Sequence, residues 1–349
     1  MRESPMVILY SPRCLDYAAA GHPENPERVR SAVAQLQKGS HTWVVPTPCT
    51  DEDILRVHTR DQLEAVRTGA FEDVDTPFFP DIFEIAKLSA GAAILAAEHA
   101  FAGRPAFSVM RPPGHHAERN RVMGFCYFNN IAIAVAKVLA SQSPVGRGGP
   151  PRRPVVESRT ARAYSAEVAA SATKAGRAVP TNDPVNEAPH ATNAQRVAIL
   201  DFDCHHGNGT EDIFCGDERV LFVSLHQSPC YPGTGLMSEG NVINYPLAPD
   251  TGPEKFLETL DEALDRIRDF QPQLLAVSAG FDAYKGDPIT QMGLEIETFH
   301  EIGRRIADFT QPIGAPGGHA LPCFAVLEGG YAREFAQCVD AFVGGWGRQ

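Results

Sequence analysis

Residues 197–210 read VAILDFDCHHGNGT, an apolar run that passes without a break into a string of aspartates, histidines and glycines. Val197–Leu200 suits a strand buried on both faces, and the residues after it suit a loop leaving that strand. Short runs of the same kind recur at Val7–Tyr10, Phe107–Met110, Val220–Leu225, Leu274–Ser278 and Phe324–Leu327. Between them lie segments with helical spacing at 27–37, 81–101, 129–140, 254–270, 294–309 and 333–343. Strands alternating with helices predict an α/β chain whose mostly parallel sheet is covered on both faces. Ligands of such sheets bind beyond the carboxyl ends of the strands. Four runs lead there into polar, glycine-containing stretches: RPPGHHAERN after 110, DFDCHHGNGT after 200, GFDAYKGDP after 279 and EGGYARE after 327.

A chain of 349 residues that is 43% hydrophobic and 21% charged, with 30 Gly and 28 Pro, buries a substantial core and is neither a stapled miniature nor a disordered polymer. Forty-three acidic against 31 basic residues give a formal charge of −12, which argues against direct nucleic-acid and anionic-membrane partners. The eight cysteines form no C-x-x-C pair, so neither a zinc knuckle nor a disulfide framework is indicated. The opening MRESPMVILY has no apolar signal core, and no apolar run approaches the roughly 20 residues of a membrane span, so a cytoplasmic location is expected. Residues 141–195, opening with SPVGRGGPPRRP, read as a low-complexity surface insertion within one domain spanning 1–349; its Ala-rich part, 161–178, has helical composition.

Asp201, Asp203 and His205 alternate along the exit of the 197–200 strand, and Asp282 follows another strand through Gly280. If the strand continues, Asp203 and His205 share a face; if the exit is a loop, Asp201, Asp203 and His205 converge; the blander reading is ordinary capping and turn-forming. Asp203, His205 and Asp282 together would leave coordination positions open, the arrangement of a catalytic rather than a structural metal. A set without thiolates accommodates zinc and leaves Fe(II) and Mn(II) open. The tandem His115 and His116 offer an acid and a base near neutral pH, against the blander reading of two loop histidines bonded locally. Tyr331, after Gly329 and Gly330, could donate to a developing oxyanion or simply pack. HQSPCYPGTG (226–235) lacks the G-x-x-x-x-G-K-[ST] pattern and is not a phosphate loop, whereas its Tyr231 suits a pocket wall or the core.

In the order PPGHH, D-x-D-x-HHGNGT, VSLH, YPGTG, GFD…GDP and EGGY, these motifs resemble the arginase/deacetylase superfamily and, more narrowly, class II-type histone deacetylases, histone-deacetylase-like amidohydrolases and acetylpolyamine amidohydrolases. The resemblance begins at HPENPER (22–28) and runs to about 340. It implies a single three-layer α/β/α domain with a central, mostly parallel eight-stranded sheet, and hydrolysis of an acetylated lysine or related acetylated amine. It further implies a zinc ion, with Fe(II) as the other candidate, on Asp203, His205 and Asp282. His116 would be the general base, His115 its electrostatic partner oriented by Asp201, and Tyr331 the oxyanion donor. Asn208 would stand behind His116, a neutral partner that raises basicity less than a carboxylate does. A structural K+ or Na+ would sit at Asp201, Asp203 and His205 with Ser224 and Leu225. Gly124, Phe125 and Tyr231 would line the substrate channel, and Asp75 would grip the substrate main chain. Ile289 stands where animal polyamine-selective relatives carry glutamate, which counts against a specialist of that type.

The leading expectation is deacetylation of lysine in proteins or peptides. Hydrolysis of a small acetylated amine is the alternative, and bacterial enzymes of that kind often use dimer contacts, so a homo-oligomer stays in view. A binding protein holding acyl-lysine without turnover, and an arginase-like enzyme with two manganese ions, complete the set. The sequence offers a single complete ligand set, against the last. Cys126 and Cys204 lie beside site residues, where redox sensitivity competes with plain packing.

Overall fold

Apolar runs too short for helices become the strands of one sheet, and amphipathic segments between them become the helices that cover it. The computed structural model describes residues 6–140, 194–312 and 320–347, so the insertion expected at 141–195, with its Ala-rich part, lies outside the described residues but for its last two. In chain order the strands are β1 (Val7–Leu9), β2 (Thr42–Val44), β3 (Ala106–Ser108), β4 (Val197–Asp201), β5 (Val220–Gln227), β6 (Val242–Leu247), β7 (Leu274–Ala279) and β8 (Cys323–Leu327). They form one sheet in the order β2-β1-β3-β8-β7-β4-β5-β6, and every pair is parallel. This is the expected three-layer α/β/α architecture.

The helices are α1 (Pro26–Leu36), α2 (Asp51–Ile54), α3 (Arg60–Thr68), α4 (Ile82–Phe101), α5 (Asn130–Ala140), α6 (Asn208–Phe214), α7 (Pro253–Phe270), α8 (Ile296–Thr310) and α9 (Phe335–Trp346). α1 starts where its sequence says it should. Asn25 accepts the Glu27 N–H at 3.0 Å, and Pro26 takes the first helical position, where a missing N–H costs nothing. α7 buries Phe256, Leu260, Ala263, Leu264 and Ile267, one stripe at helical spacing, and leaves its charged face in water. α4 is apolar nearly all round because it lies between the sheet at β1, β3 and β8 and the neighbouring α5. α1, α8 and α9 form another group, from which Phe342 reaches Phe107 of β3 and Phe202 beyond β4.

Candidate active site

β4 stops at Asp201, so Asp203 and His205 converge through a loop and not along one face of a continued strand. The loop folds on its own side chains: Asp203 N–H donates to Asp201 Oδ1 at 3.1 Å and His205 N–H to Asp203 Oδ1 at 2.9 Å. The Cys204 N–H then donates to Asp282 Oδ1 at 2.8 Å, drawing the end of β7 onto the end of β4. As a result Asp203, His205 and Asp282, all buried, offer donor atoms within 4.8 Å of one another.

Two carboxylates and an imidazole in so small a volume fit a divalent cation. His205 Nδ1 lies 2.8 Å from Asp282 Oδ2 and 3.2 Å from Asp203 Oδ1. Burial alone would strip its proton, but the Asp282 charge and the hydrogen bonds to both aspartates hold the imidazole well above its usual pKa. Two carboxylates this close to one imidazole favour a positive charge among them, which is what a divalent cation brings. Space is reserved as well: a Cβ on Gly329 would fall 2.4 Å from Asp282 Oδ2 and 2.7 Å from Asp203 Oδ2. Only glycine lets the end of β8 come this close, and its N–H donates to Asp203 Oδ2 at 2.7 Å.

The tandem histidines stack beside these donors, ring centroids 4.0 Å apart, with His116 5.9 Å from His205. His115 Nδ1 meets Asp201 Oδ2 at 3.0 Å, and its Nε2 lies 3.7 Å from Asp203 Oδ1. Burial opposes charge on His115, yet Asp203 and Asp201 outweigh it and lift the imidazole to about 10. His116 goes the other way: burial, then the charges of His115 and His205, push it well below the ordinary imidazole range. Its Nδ1 is 2.8 Å from Asn208 Oδ1, and the Asn208 amide is fixed by donating through Nδ2 to Glu118 Oε1 at 2.8 Å. Oδ1 is therefore the acceptor, Nδ1 carries the proton, and the Nε2 lone pair is free.

Asp203, His205, His115 and His116 line a cavity of about 300 Å3. Its lining includes every residue assigned above to the substrate channel: Gly124, Phe125, Tyr231, Asp75 and Ile289, together with Tyr331. Tyr231 stands edge-on to His116 at 5.1 Å and is a pocket wall, not core. Phe125 faces Tyr331 at 5.8 Å. Its φ of 69° is strained for a residue with a side chain, and the Thr76 hydroxyl holds it there by accepting its N–H at 2.8 Å. Burial raises the Tyr331 phenol well above its usual pKa, so it remains a donor. Ser224 sits opposite Asp201 in the β4–β5 register, with its hydroxyl 2.9 Å from His226 Nδ1, and Leu225 next to it is buried. Cys126 and Cys204 are both buried, and burial pushes both thiols well up, away from thiolate reactivity.

Three contributors escape a reading of motifs. Arg28, buried, donates to Glu328 O and Gly330 O at 2.6 Å each and stacks 4.6 Å over the Tyr331 ring. Glu24 pairs with both Arg28 and Arg111. Thr76 holds Phe125. HPENPER carries the first two, but Arg28 acts on main chain some 300 residues away and Glu24 on Arg111, contacts no local pattern announces.

A parallel α/β sheet that gathers buried Asp-His-Asp donors and a tandem histidine at its carboxyl edge offers a candidate divalent-metal site beside an acid–base pair. The family profile described as the histone deacetylase domain matches residues 22–147 and 181–345, and the chain belongs to that family. It is 34% identical over 346 residues, 94% of this chain and 86% of the other, to a probable deacetylase of Methanothermobacter thermautotrophicus. It is 32% identical to a histone deacetylase-like amidohydrolase of Pseudomonas aeruginosa, covering 91% of this chain and 74% of that one. Among solved structures, an acetylpolyamine aminohydrolase from Burkholderia pseudomallei superposes with a TM-score of 0.71 at 25% identity, over 98% of this chain and 99% of that one.

Proposed function

We propose that the protein is a zinc-dependent deacetylase that removes acetyl groups from lysine side chains of proteins or peptides in the cytoplasm. One observation carries this reading: a neutral histidine and a protonated tyrosine line one apolar-walled pocket with Asp203 and His205, whose third partner as a metal donor, Asp282, is buried within 4.8 Å of them. Asp203, His205 and Asp282 would hold a zinc ion, which when bound would supply Lewis acidity toward an amide carbonyl and toward water.

The remaining chemistry belongs to the chain. His116 is neutral with its Nδ1 proton committed to Asn208, so Nε2 accepts the proton of the attacking water. His115, charged between Asp201 and Asp203, balances the charge that develops, and a protonated histidine of the pair gives its proton to the departing amine. Tyr331 donates its phenol hydrogen to the oxyanion. Phe125 and Tyr231 supply flat walls for an alkyl chain and keep water from its sides, while Asp75 at the mouth offers an acceptor for substrate main-chain N–H.

Ile289 at the mouth, 40% exposed, offers a distal ammonium no charge, which favours lysine over a polyamine. The end-to-end similarity to an acetylpolyamine aminohydrolase keeps a small acetylated amine as the second reading. Zinc-loaded wild type, His116→Ala and Tyr331→Phe should be assayed on an acetyl-lysine peptide and on N-acetylputrescine. The expected outcome is higher kcat/KM for the peptide and a loss of about a hundredfold or more in each variant. Equal rates in all three proteins defeat the mechanism, and a preference for N-acetylputrescine selects the second reading.

A further inference from the structure

β8 ends at Leu327, and the next residue, Glu328, has a fully buried side chain. The arginines of this region, Arg28 and Arg111, pair with Glu24 instead. The Glu328 carboxylate is satisfied by main chain: Gly114 N–H donates to Oε2 at 2.7 Å and His115 N–H to the same oxygen at 3.2 Å, with the Ser278 hydroxyl 3.4 Å from Oε1. A buried carboxylate with no arginine or lysine paired to it, and only the nearby His115 imidazole to offset its charge, is costly, and a well-packed apolar side chain of similar volume is usually the more stable choice. What such a side chain lacks is an acceptor for two successive N–H groups.

The loop after β3 needs that acceptor. Pro112 and Pro113 have no N–H to give, and the last sheet bond on this side is the one the Val109 N–H makes to Leu9 O at 3.0 Å. Its carbonyl side is held by α4 and α5, since Pro112 O accepts from Ser89 Oγ at 2.9 Å and from Asn130 Nδ2 at 3.0 Å. Its N–H side is held by Glu328 alone among the side chains just described. The two clamps bracket Pro113, and the next residues are the tandem histidines.

We propose that Glu328 is a positioning residue: its carboxylate fixes the Gly114–His115 main chain so that both imidazoles present themselves to the metal donors. The inference rests on the functional reading above for what those imidazoles then do. It differs from support of the metal site, which the neighbouring Gly329 gives through its own N–H to Asp203.

The test uses the full-length, zinc-loaded protein with Glu328→Gln, which keeps an acceptor oxygen, and Glu328→Met, which keeps the volume and removes the acceptors. Three quantities are read: kcat and KM on the preferred acetylated substrate, zinc per chain, and residue-resolved amide exchange at Gly114 and His115. For Glu328→Met the expected result is a fall of about a hundredfold in kcat, with full zinc and lost protection at both amides. KM should stay within about threefold of wild type, as befits a group that tunes geometry and not binding. Glu328→Gln should keep both protection and most of the activity. Wild-type kcat in Glu328→Met, unchanged amide protection, or activity that falls only in step with zinc content would each overturn the proposal. Should Glu328→Met not fold, Glu328→Asp, one methylene shorter, answers by the same readouts. Amide protection does not depend on turnover, so an enzyme inactive on every acetylated amine would sink the functional reading and leave the exchange result standing.

Discussion

His58 shows in one residue how burial sets the acid limit of this fold. Its Nε2 accepts the Asn129 N–H at 2.9 Å and its Nδ1 lies 3.0 Å from Glu118 O, a pattern complete only for neutral imidazole. Burial lowers its pKa to about 4, against roughly 6.5 in an unfolded chain. The unfolded state therefore binds the extra proton first, so the contribution of His58 is fully present above that unfolded value and is lost as pH falls toward the folded one. His99 and His226 are lowered to about 4 by the same cause and act in the same direction. The unfolding temperature should drop as pH is taken from 6.5 to 4, and His58→Gln should flatten part of that slope; an unaltered slope removes His58 from the account. The residues at the site were legible in proportion to how far their roles are written in local order. Asp203, His205, Asp282 and the histidine pair stand just after apolar runs, where polar residues invite a question. Glu328, Arg28 and Thr76 act by gripping main chain of a distant segment, and nothing in their neighbours' identity reveals that grip.

At the level of elements, the strands read from apolar runs are all present, and those that were not read have a physical excuse. β2 is three half-buried residues at one edge of the sheet, too short to show a pattern. β6 contains Pro246, which argues against a strand, but β6 is the other edge, where a missing N–H breaks no ladder. α6 begins on the last three residues of DFDCHHGNGT and is only seven residues long, too short and too glycine-marked at its start to show a helical period. Helix contact supplies a sharper test. α8 and α9 meet at glycines, and a Cβ on Gly345 would lie 2.0 Å from His300 O, whereas Gly344 next to it has nothing within 4 Å. Gly345→Ala should destabilise the protein by about 1–3 kcal/mol by prying the helices apart. Gly344→Ala should instead stabilise it by about 0.5–1 kcal/mol, since alanine is the better helix former at an open position. Denaturant midpoints of the two variants on opposite sides of wild type would bear out this reading, and equal shifts would refute it.

For the whole molecule, alternation of strands and helices announced a parallel sheet but not which strands are neighbours, because neighbours are chosen by packing across the full chain. The choice matters, since the strands that carry the site, β3, β8, β7 and β4, are adjacent in the sheet order. Binding of zinc to their shared edge should stabilise the fold by about 2.7 kcal/mol at a hundredfold excess over Kd. Calorimetry with and without zinc should therefore show a higher unfolding temperature in wild type and none of that gain in Asp282→Asn. β8, the last of the described strands in sequence, slots between β3 and β7 and is, among the described residues, the only link between β2-β1-β3 on one side and β7-β4-β5-β6 on the other. During synthesis the chain must therefore carry two half-sheets with raw inner edges until residues 323–327 leave the ribosome. Nascent chains stalled before that point should be sticky substrates for chaperones and catalytically silent, with both properties reversing together once the keystone strand arrives.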